Sequence, residues 1–208
     1  MEPAARSSQR PSAFRGTFHA KPAGHAQDLA AVADLIHACA VMSAPILIVI
    51  MGVSGVGKST VGAELARALG IAFLEGDSLH PKANIDKMSR GVPLDDEDRF
   101  PWLDAIGASM EDARRQGRGM VATCSALRQI YRDRLRAHVQ GKLQFVLLDA
   151  SRQLVATRLE HREGHYMPVS LLDSQLKTLE PAGPGEELVT LDGAQPVEAL
   201  VKAILNLQ

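Results

Sequence analysis

From residue 46 to the C-terminus, short unbroken apolar runs alternate with stretches in which apolar positions recur every three or four residues. The runs Ile46-Leu47-Ile48-Val49-Ile50 and Phe145-Val146-Leu147-Leu148 have no polar interruption, as expected of strands covered by helices on both faces. The pattern predicts strands over 46–51, 71–75, 119–124, 143–149 and 187–191. It predicts helices over 58–69, near 82–89, and over 99–116, 128–138, 151–162 and 196–207. Strands and helices in regular alternation imply parallel pairing, because each return to the sheet in the same direction needs a crossover. The expected architecture is a doubly wound α/β fold with a parallel sheet of about five strands. A region marked by glycine and proline, 163–185, breaks the rhythm, and within it Ser170 to Leu179 reads as a short helix with Leu172, Leu176 and Leu179 on one side.

The first forty residues have a different character. Arg6, Arg10, Arg15 and Lys21 lie among Ser, Pro, Gly and Ala, and Glu2 is the only acid before Asp28. Transit-like leaders share that bias. Apart from a short Ala-rich helix suggested over 27–42, however, the stretch shows no strand and no motif, and it ends at Met42-Ser43 just before the first strand. Residues 1–41 therefore read as a flexible extension, or as upstream sequence with the functional start at Met42, and 42–208 as one domain. A chain of 208 residues, 46% hydrophobic, can bury one substantial core but not two ordinary ones. Its net charge of −1, with both signs interspersed, supplies no field for nucleic acid or an anionic membrane surface. The longest apolar run, Ala44 to Val53, has about half the length of a membrane-spanning helix. Two cysteines, Cys39 and Cys124, make no disulfide framework and fit a reducing cytoplasm.

The first strand leads into Gly52-Val53-Ser54-Gly55-Val56-Gly57-Lys58-Ser59, which matches the phosphate-binding loop G-x-x-x-x-G-K-[ST] at every fixed position and opens directly into a helix. The glycines allow a tight turn in which successive N–H groups and the helix N-terminus face a β-phosphate. Lys58 is expected to reach the β and γ oxygens, Ser59 to offer its hydroxyl to Mg²⁺, and Thr60 to approach the α-phosphate, so ATP with Mg²⁺ is the implied nucleotide. Asp149, at the end of an apolar run, resembles a metal-supporting carboxylate but reads better as the cap of the helix that follows. Asp77, after the second strand, is the better candidate.

Between the second and third strands the chain turns densely polar: Gly76-Asp77-Ser78-Leu79-His80-Pro81-Lys82-Ala83-Asn84-Ile85-Asp86-Lys87-Met88, then Pro93-Leu94-Asp95-Asp96-Glu97-Asp98-Arg99-Phe100-Pro101-Trp102-Leu103. Pro81 opens a helix in which Ile85 and Met88 are expected to face the core while Asn84 and Lys87 face away. Asp95 and Asp96 read as a solvated capping turn. Arg99 sits just inside a helix N-terminus, where the dipole disfavours a cation, which points to another use.

These segments closely resemble the gluconate kinases, as do Cys124-Ser125-Ala126-Leu127-Arg128 with Tyr131-Arg132-Asp133, Gly164-His165-Tyr166-Met167, and Ser174-Gln175 with Leu179-Glu180. The resemblance covers roughly residues 46 to 206 and implies a P-loop kinase of the nucleoside-monophosphate and shikimate kinase type. Its expected reaction converts D-gluconate and ATP to 6-phospho-D-gluconate, with an acceptor insertion over about 77–117, a lid over about 152–185, and a homodimeric assembly. An anionic polyol needs a cation for its carboxylate and polar groups for its hydroxyls, and Asp77, His80, Asn84, Lys87 and Arg99 supply that inventory. Asp77 is the expected base, Cys124 and Ser125 flank the reacting groups, and Gln175 meets a sugar hydroxyl. Arg158 and Arg162, four residues apart, share a helix face and would meet the nucleotide's phosphates. Two other readings stay open on the residues alone: a shikimate or other small-acid kinase, and a P-loop module that binds ATP without turning it over.

Overall fold

Apolar residues of successive strands divide into two cores, one on each face of a single sheet. Ile48, Ile50, Val121, Val146 and Leu148 belong to the first core, and Leu47, Val49, Met51, Ala122, Phe145 and Leu147 to the second. Both faces are apolar because both are covered, which is why these strands read as continuous runs. The structure, a computed structural model, describes residues 44–161 and 172–208. The elements in order are β1 (Leu47–Met51), α1 (Lys58–Leu69), β2 (Ala72–Glu75), a 3₁₀ turn (Gly76–Leu79), α2 (Lys82–Ser89) and α3 (Asp96–Arg115). They continue with β3 (Met120–Cys124), α4 (Gln129–His138), β4 (Gln144–Asp149), α5 (Arg152–Glu160), α6 (Leu172–Thr178), β5 (Leu188–Asp192) and α7 (Val197–Leu205).

All five strands pair in parallel, in the order β2-β3-β1-β4-β5. The chain leaves β1, crosses to the far edge at β2, returns to β3 beside β1, and then passes to β4 on the other side. The strand order thus reverses about β1. Ligands in open α/β sheets bind at such a switch point, beyond the carboxyl ends of the strands. Helices α1, α5 and α7 cover the first face with Leu65, Val155, Leu159, Leu200 and Ile204, while α3 and α4 cover the second with Trp102, Ile106, Met110 and Leu135.

Three details differ from the sequence reading. Helix α3 starts at Asp96, three residues before expectation, because Asp95 caps it: its carboxylate accepts from the Asp98 N–H at 2.8 Å while Asp98 accepts from the Asp95 N–H at 3.1 Å. On α2, Asn84 is buried and Ile85 only partly so, because the polar side of this helix packs on the polar first turn of α3. Asp149 does not cap α5; the Ser151 side chain does, accepting from Leu154 N–H.

The chain after α6 is fastened to α4 by a buried ion pair. Arg132, 0% exposed, donates Nε and Nη2 to the two carboxylate oxygens of Glu186 at 2.6 and 2.8 Å, and Arg136 donates to the same carboxylate at 2.6 Å. Arg132 also reaches the carbonyls of Ala126, Leu127, Glu180 and Pro181. The guanidinium's donors are thereby satisfied in the interior, the condition under which a buried charge is tolerated.

Candidate active site

The loop Gly52–Ser59 joins the end of β1 to α1. Gly57 is the N-cap of α1 at φ 113°, a left-handed conformation that strains residues with a Cβ, so the helix can begin directly behind the turn with its N–H groups exposed. Gly52 and Gly55 also have positive φ. Lys58, the first residue of α1, is buried and folds back so that Nζ donates to the Val53 carbonyl at 3.0 Å. That contact curls the lysine back along the loop.

Two cavities meet at this loop. One, of about 410 Å³, is lined by Ser54 through Val61, by Asp77, and by Arg158, His161, Gly193 and Gln195. The other, of about 390 Å³, is lined by Ser54, Lys58, Asp77, His80, Arg99, Ser125, Arg128, Tyr131, Gln175, Lys177 and Glu180, with a few further residues. Ser54, Lys58 and Asp77 line both. The first cavity has the cradle for a nucleotide's phosphates, and the second has the mixed polar lining for a small acceptor.

In the acceptor cavity, His80 and Arg99 come from different elements and are held differently. His80 is buried and stacks on Trp102, ring centroids 4.0 Å apart and planes 16° apart. Burial pushes its pKa from 6.5 down to about 4, with Asp77 drawing it back up and Arg99 lowering it further. At neutral pH it is an uncharged hydrogen-bonding group, and Asn84 Nδ2 lies 3.4 Å from its Nδ1. Arg99 donates Nε to the Leu94 carbonyl at 3.3 Å and places its guanidinium 5.6 Å from the centre of the Tyr131 ring. Among the described residues it forms no ion pair. Arg128 contrasts with it: both Asp96 oxygens accept from its Nη1 at 2.6 and 2.7 Å, and Glu180 accepts from its Nε at 3.3 Å. Tyr131 OH donates to Asp96 at 2.5 Å, and this bond, followed by the Arg128 contact, holds the Asp96 carboxyl below the usual carboxylate range.

The structure thus gathers Lys58, Asp77, His80, Arg99, Ser125 and Gln175 at the acceptor cavity, and loop residues Ser54 to Ser59 with Thr60 and Arg158 at the nucleotide cavity; the expected loop residues Gly52 and Val53 line neither of the two. Gln175 Oε1 accepts the backbone N–H of Ser54 at 2.7 Å, so this side chain is already engaged with the phosphate loop. Arg158 donates to the carbonyls of Val56 and Gly193 at 2.8 and 3.0 Å, bridging the loop to the turn after β5. Three expected acceptor residues lie elsewhere. Lys87 donates to both Asp98 oxygens at 2.7 and 2.6 Å, which raises the pKa of the lysine and lowers that of the aspartate. Asn84 donates to the Asp98 carbonyl at 2.8 Å; both residues tie α2 to α3 and neither lines a cavity. Cys124 is fully buried, burial pushes its thiol up to about 12, and it packs in the second core. Arg162 lies outside the described residues, as do residues 1–43 and a middle stretch of the expected lid, 162–171. The sequence reading gave no site role to Asp96, Arg128, Tyr131 or Lys177; the first three fall in segments that resemble the gluconate kinases, and Arg128 and Tyr131 sit at the start of α4.

Mg²⁺, when present with the nucleotide, would meet hard oxygen donors here: the Ser59 hydroxyl and the Asp77 carboxylate both line the nucleotide cavity. Among the described residues no cluster of three or more His, Cys, Asp or Glu could hold a metal unaided, so phosphate oxygens and water would complete the shell.

A phosphate cradle and an acceptor cavity that share a lysine and an aspartate, at the switch point of a five-stranded parallel sheet, define a P-loop kinase acting on a small molecule. The family described as an AAA domain matches residues 47–182. Gluconokinase of Gluconobacter oxydans is 45% identical over 162 residues, covering 78% of this chain and 90% of that protein. The crystal structure of a gluconokinase from Sinorhizobium meliloti superposes with a TM-score of 0.69 at 48% identity, covering 78% of this chain and 91% of that one. The chain belongs to the gluconokinase family. A shikimate kinase from Aquifex aeolicus, at 19% identity and a TM-score of 0.51, shares the fold alone.

Proposed function

We propose that this enzyme transfers the γ-phosphoryl group of ATP to the terminal hydroxyl of D-gluconate, releasing ADP and 6-phospho-D-gluconate. The observation that carries this reading is the junction: Ser54, Lys58 and Asp77 line both cavities, so a phosphoryl group held by the loop faces an acceptor held on the other side. Backbone N–H groups from Val53 to Ser59 and the start of α1 receive the phosphates, and Lys58 offsets the charge on the transferring group. Arg158, His161 and Gln195 line the far end of the nucleotide cavity, where the rest of the nucleotide fits. Bound Mg²⁺, held by Ser59 and approached by Asp77, would neutralise phosphate charge.

In the acceptor cavity Arg99 pairs with the gluconate carboxylate, while neutral His80, Ser125 and Gln175 bond hydroxyls. Asp77 orients the terminal hydroxyl and takes its proton as that oxygen bonds to phosphorus and the bond from phosphorus to the β-phosphate oxygen breaks. Most of the acceleration comes from positioning and charge stabilisation, as is usual for this reaction. The same reading includes a cytoplasmic homodimer. Among the described residues no helix is long and apolar enough to cross a membrane; light scattering would measure the assembly.

The direct test is ADP release measured over gluconate, other aldonates, shikimate and nucleoside monophosphates. Gluconate should be used with the highest kcat/KM, and Asp77→Asn should lower kcat by roughly 10²-fold or more while gluconate affinity stays within a few fold. Preference for shikimate or a nucleotide acceptor would refute the reading, as would ATP binding without turnover on any acceptor.

A further inference from the structure

Asp77 is the second residue of a four-residue 3₁₀ turn, too short to hold its geometry by its own hydrogen bonds. The turn is fixed from outside, through Gly76. The Gly76 N–H donates to Thr123 Oγ1 at 3.1 Å, and the Gly76 carbonyl accepts from Trp102 Nε1 at 2.7 Å. That carbonyl belongs to the peptide linking Gly76 to Asp77, so the indole holds the plane from which the aspartate side chain departs. The Thr123 hydroxyl, having accepted from Gly76, donates its own proton to the Glu75 carboxylate. No other residue fits at position 76, because a Cβ there would sit 2.0 Å from the Thr123 carbonyl oxygen. Trp102 also reaches the other end of the turn, where its ring face stacks on His80. Trp102 and Thr123 are each 1% exposed and neither lines a cavity.

We propose that Trp102 and Thr123 are positioning residues for phosphoryl transfer: together they clamp the backbone of Gly76 so that Asp77 meets the acceptor hydroxyl, and Trp102 also orients the His80 ring. The proposal rests on the assignment of Asp77 as the base. A tryptophan at this place fills core volume as well, but volume alone explains neither the indole N–H aimed at the Gly76 carbonyl nor the hydroxyl of Thr123. Val replaces Thr123 with little change of shape, and Phe keeps an aromatic ring at position 102 while leaving part of the indole's volume unfilled; both remove the polar contacts. Each leaves a buried backbone group of Gly76 without its partner and frees the turn to shift. A displacement of about 1 Å at a reacting group is enough to lower a rate by roughly 10²-fold.

The test is a set of double-mutant cycles. Trp102→Phe, Thr123→Val and Thr123→Ser are made in the wild type and in Asp77→Asn, and kcat is expressed per nucleotide-binding site counted by calorimetry. In the wild-type background, Trp102→Phe and Thr123→Val should each lower kcat by about ten- to a hundredfold, with the KM for ATP within about twofold. Thr123→Ser keeps the hydroxyl and should recover most of the loss. In the Asp77→Asn background the same substitutions should change the residual kcat by less than about twofold, because the group they position is already gone. Equal losses in both backgrounds, or a normal per-site kcat accompanied only by a lower Tm, would overturn the positioning role while leaving Asp77 as base. Normal turnover by Asp77→Asn would remove the base assignment and this proposal with it. If Trp102→Phe does not fold, the Thr123→Val and Thr123→Ser pair decides the question.

Discussion

Arg99→Lys isolates what the acceptor cavity offers an anionic substrate. The guanidinium is anchored by one Nε bond to the Leu94 carbonyl and lies over Tyr131, the residue lines the acceptor cavity, and under the proposed function its terminal nitrogens serve the carboxylate as a two-pronged donor. Lysine keeps the charge but offers a point donor on a flexible stem, so one of two charge-assisted bonds is lost, worth about 1.5–3 kcal/mol. The stacking on Tyr131 is weakened too, by about 0.5 kcal/mol at a partly exposed site. Together these weaken gluconate binding by roughly 2–3.5 kcal/mol, or about 30- to 400-fold in Kd. Calorimetry with gluconate on wild type and variant measures this directly, and an uncharged polyol of the same length serves as control. The polyol's weak affinity should not change, and the KM for ATP should stay within about twofold, because the phosphate loop supplies the nucleotide contacts. A Kd for gluconate within threefold of wild type, or an equal loss for the neutral polyol, would refute the carboxylate assignment.

Three further outcomes are expected. Lys58→Met, of similar size and without charge, should lower kcat by roughly 10²-fold or more while circular dichroism and the melting profile stay near wild type; near-normal turnover would contradict its role. Glu186→Gln leaves Arg132 buried without its counter-charge and should cost about 3–5 kcal/mol, lowering Tm by on the order of 10 °C in calorimetric melts at neutral pH. The Arg132 hydrogen bond is the chief cause that holds the Glu186 carboxyl down at about 2, from 4.5. A depressed carboxylate stabilises fully above its unfolded pKa and loses that contribution as pH falls through the folded value, so the gap in stability between wild type and variant should narrow between about pH 4.5 and pH 2. A chain beginning at Met42 should retain kcat and Tm, since the match to the Gluconobacter oxydans enzyme spans 90% of that protein with 78% of this chain; a large drop in either measured quantity would show that residues 1–41 contribute.

The sequence by itself determined the sheet, the phosphate loop and the class of chemistry. Unbroken apolar runs and helical periods are local patterns, and G-x-x-x-x-G-K-[ST] works through backbone N–H groups whose geometry is set within eight residues, so β1, the loop and α1 could be read directly. Even the short α6 was visible in the spacing of its leucines. What only the tertiary structure decided is which polar groups face a cavity and which face each other. Lys87 and Asn84 look like substrate ligands in a chain of letters, but α2 lies against the first turn of α3, and Asp98 takes both. Arg99 and Arg128 are equally cationic in sequence, but Asp96 and Glu180 converge on Arg128 from separate elements, while Arg99 lines the same cavity with no ion pair among the described residues. The clamp on Gly76 comes from Thr123 on β3 and Trp102 on α3, 47 and 26 residues away along the chain. Such pairings depend on strand order and helix docking rather than on any local propensity, and they exist only once the chain has folded.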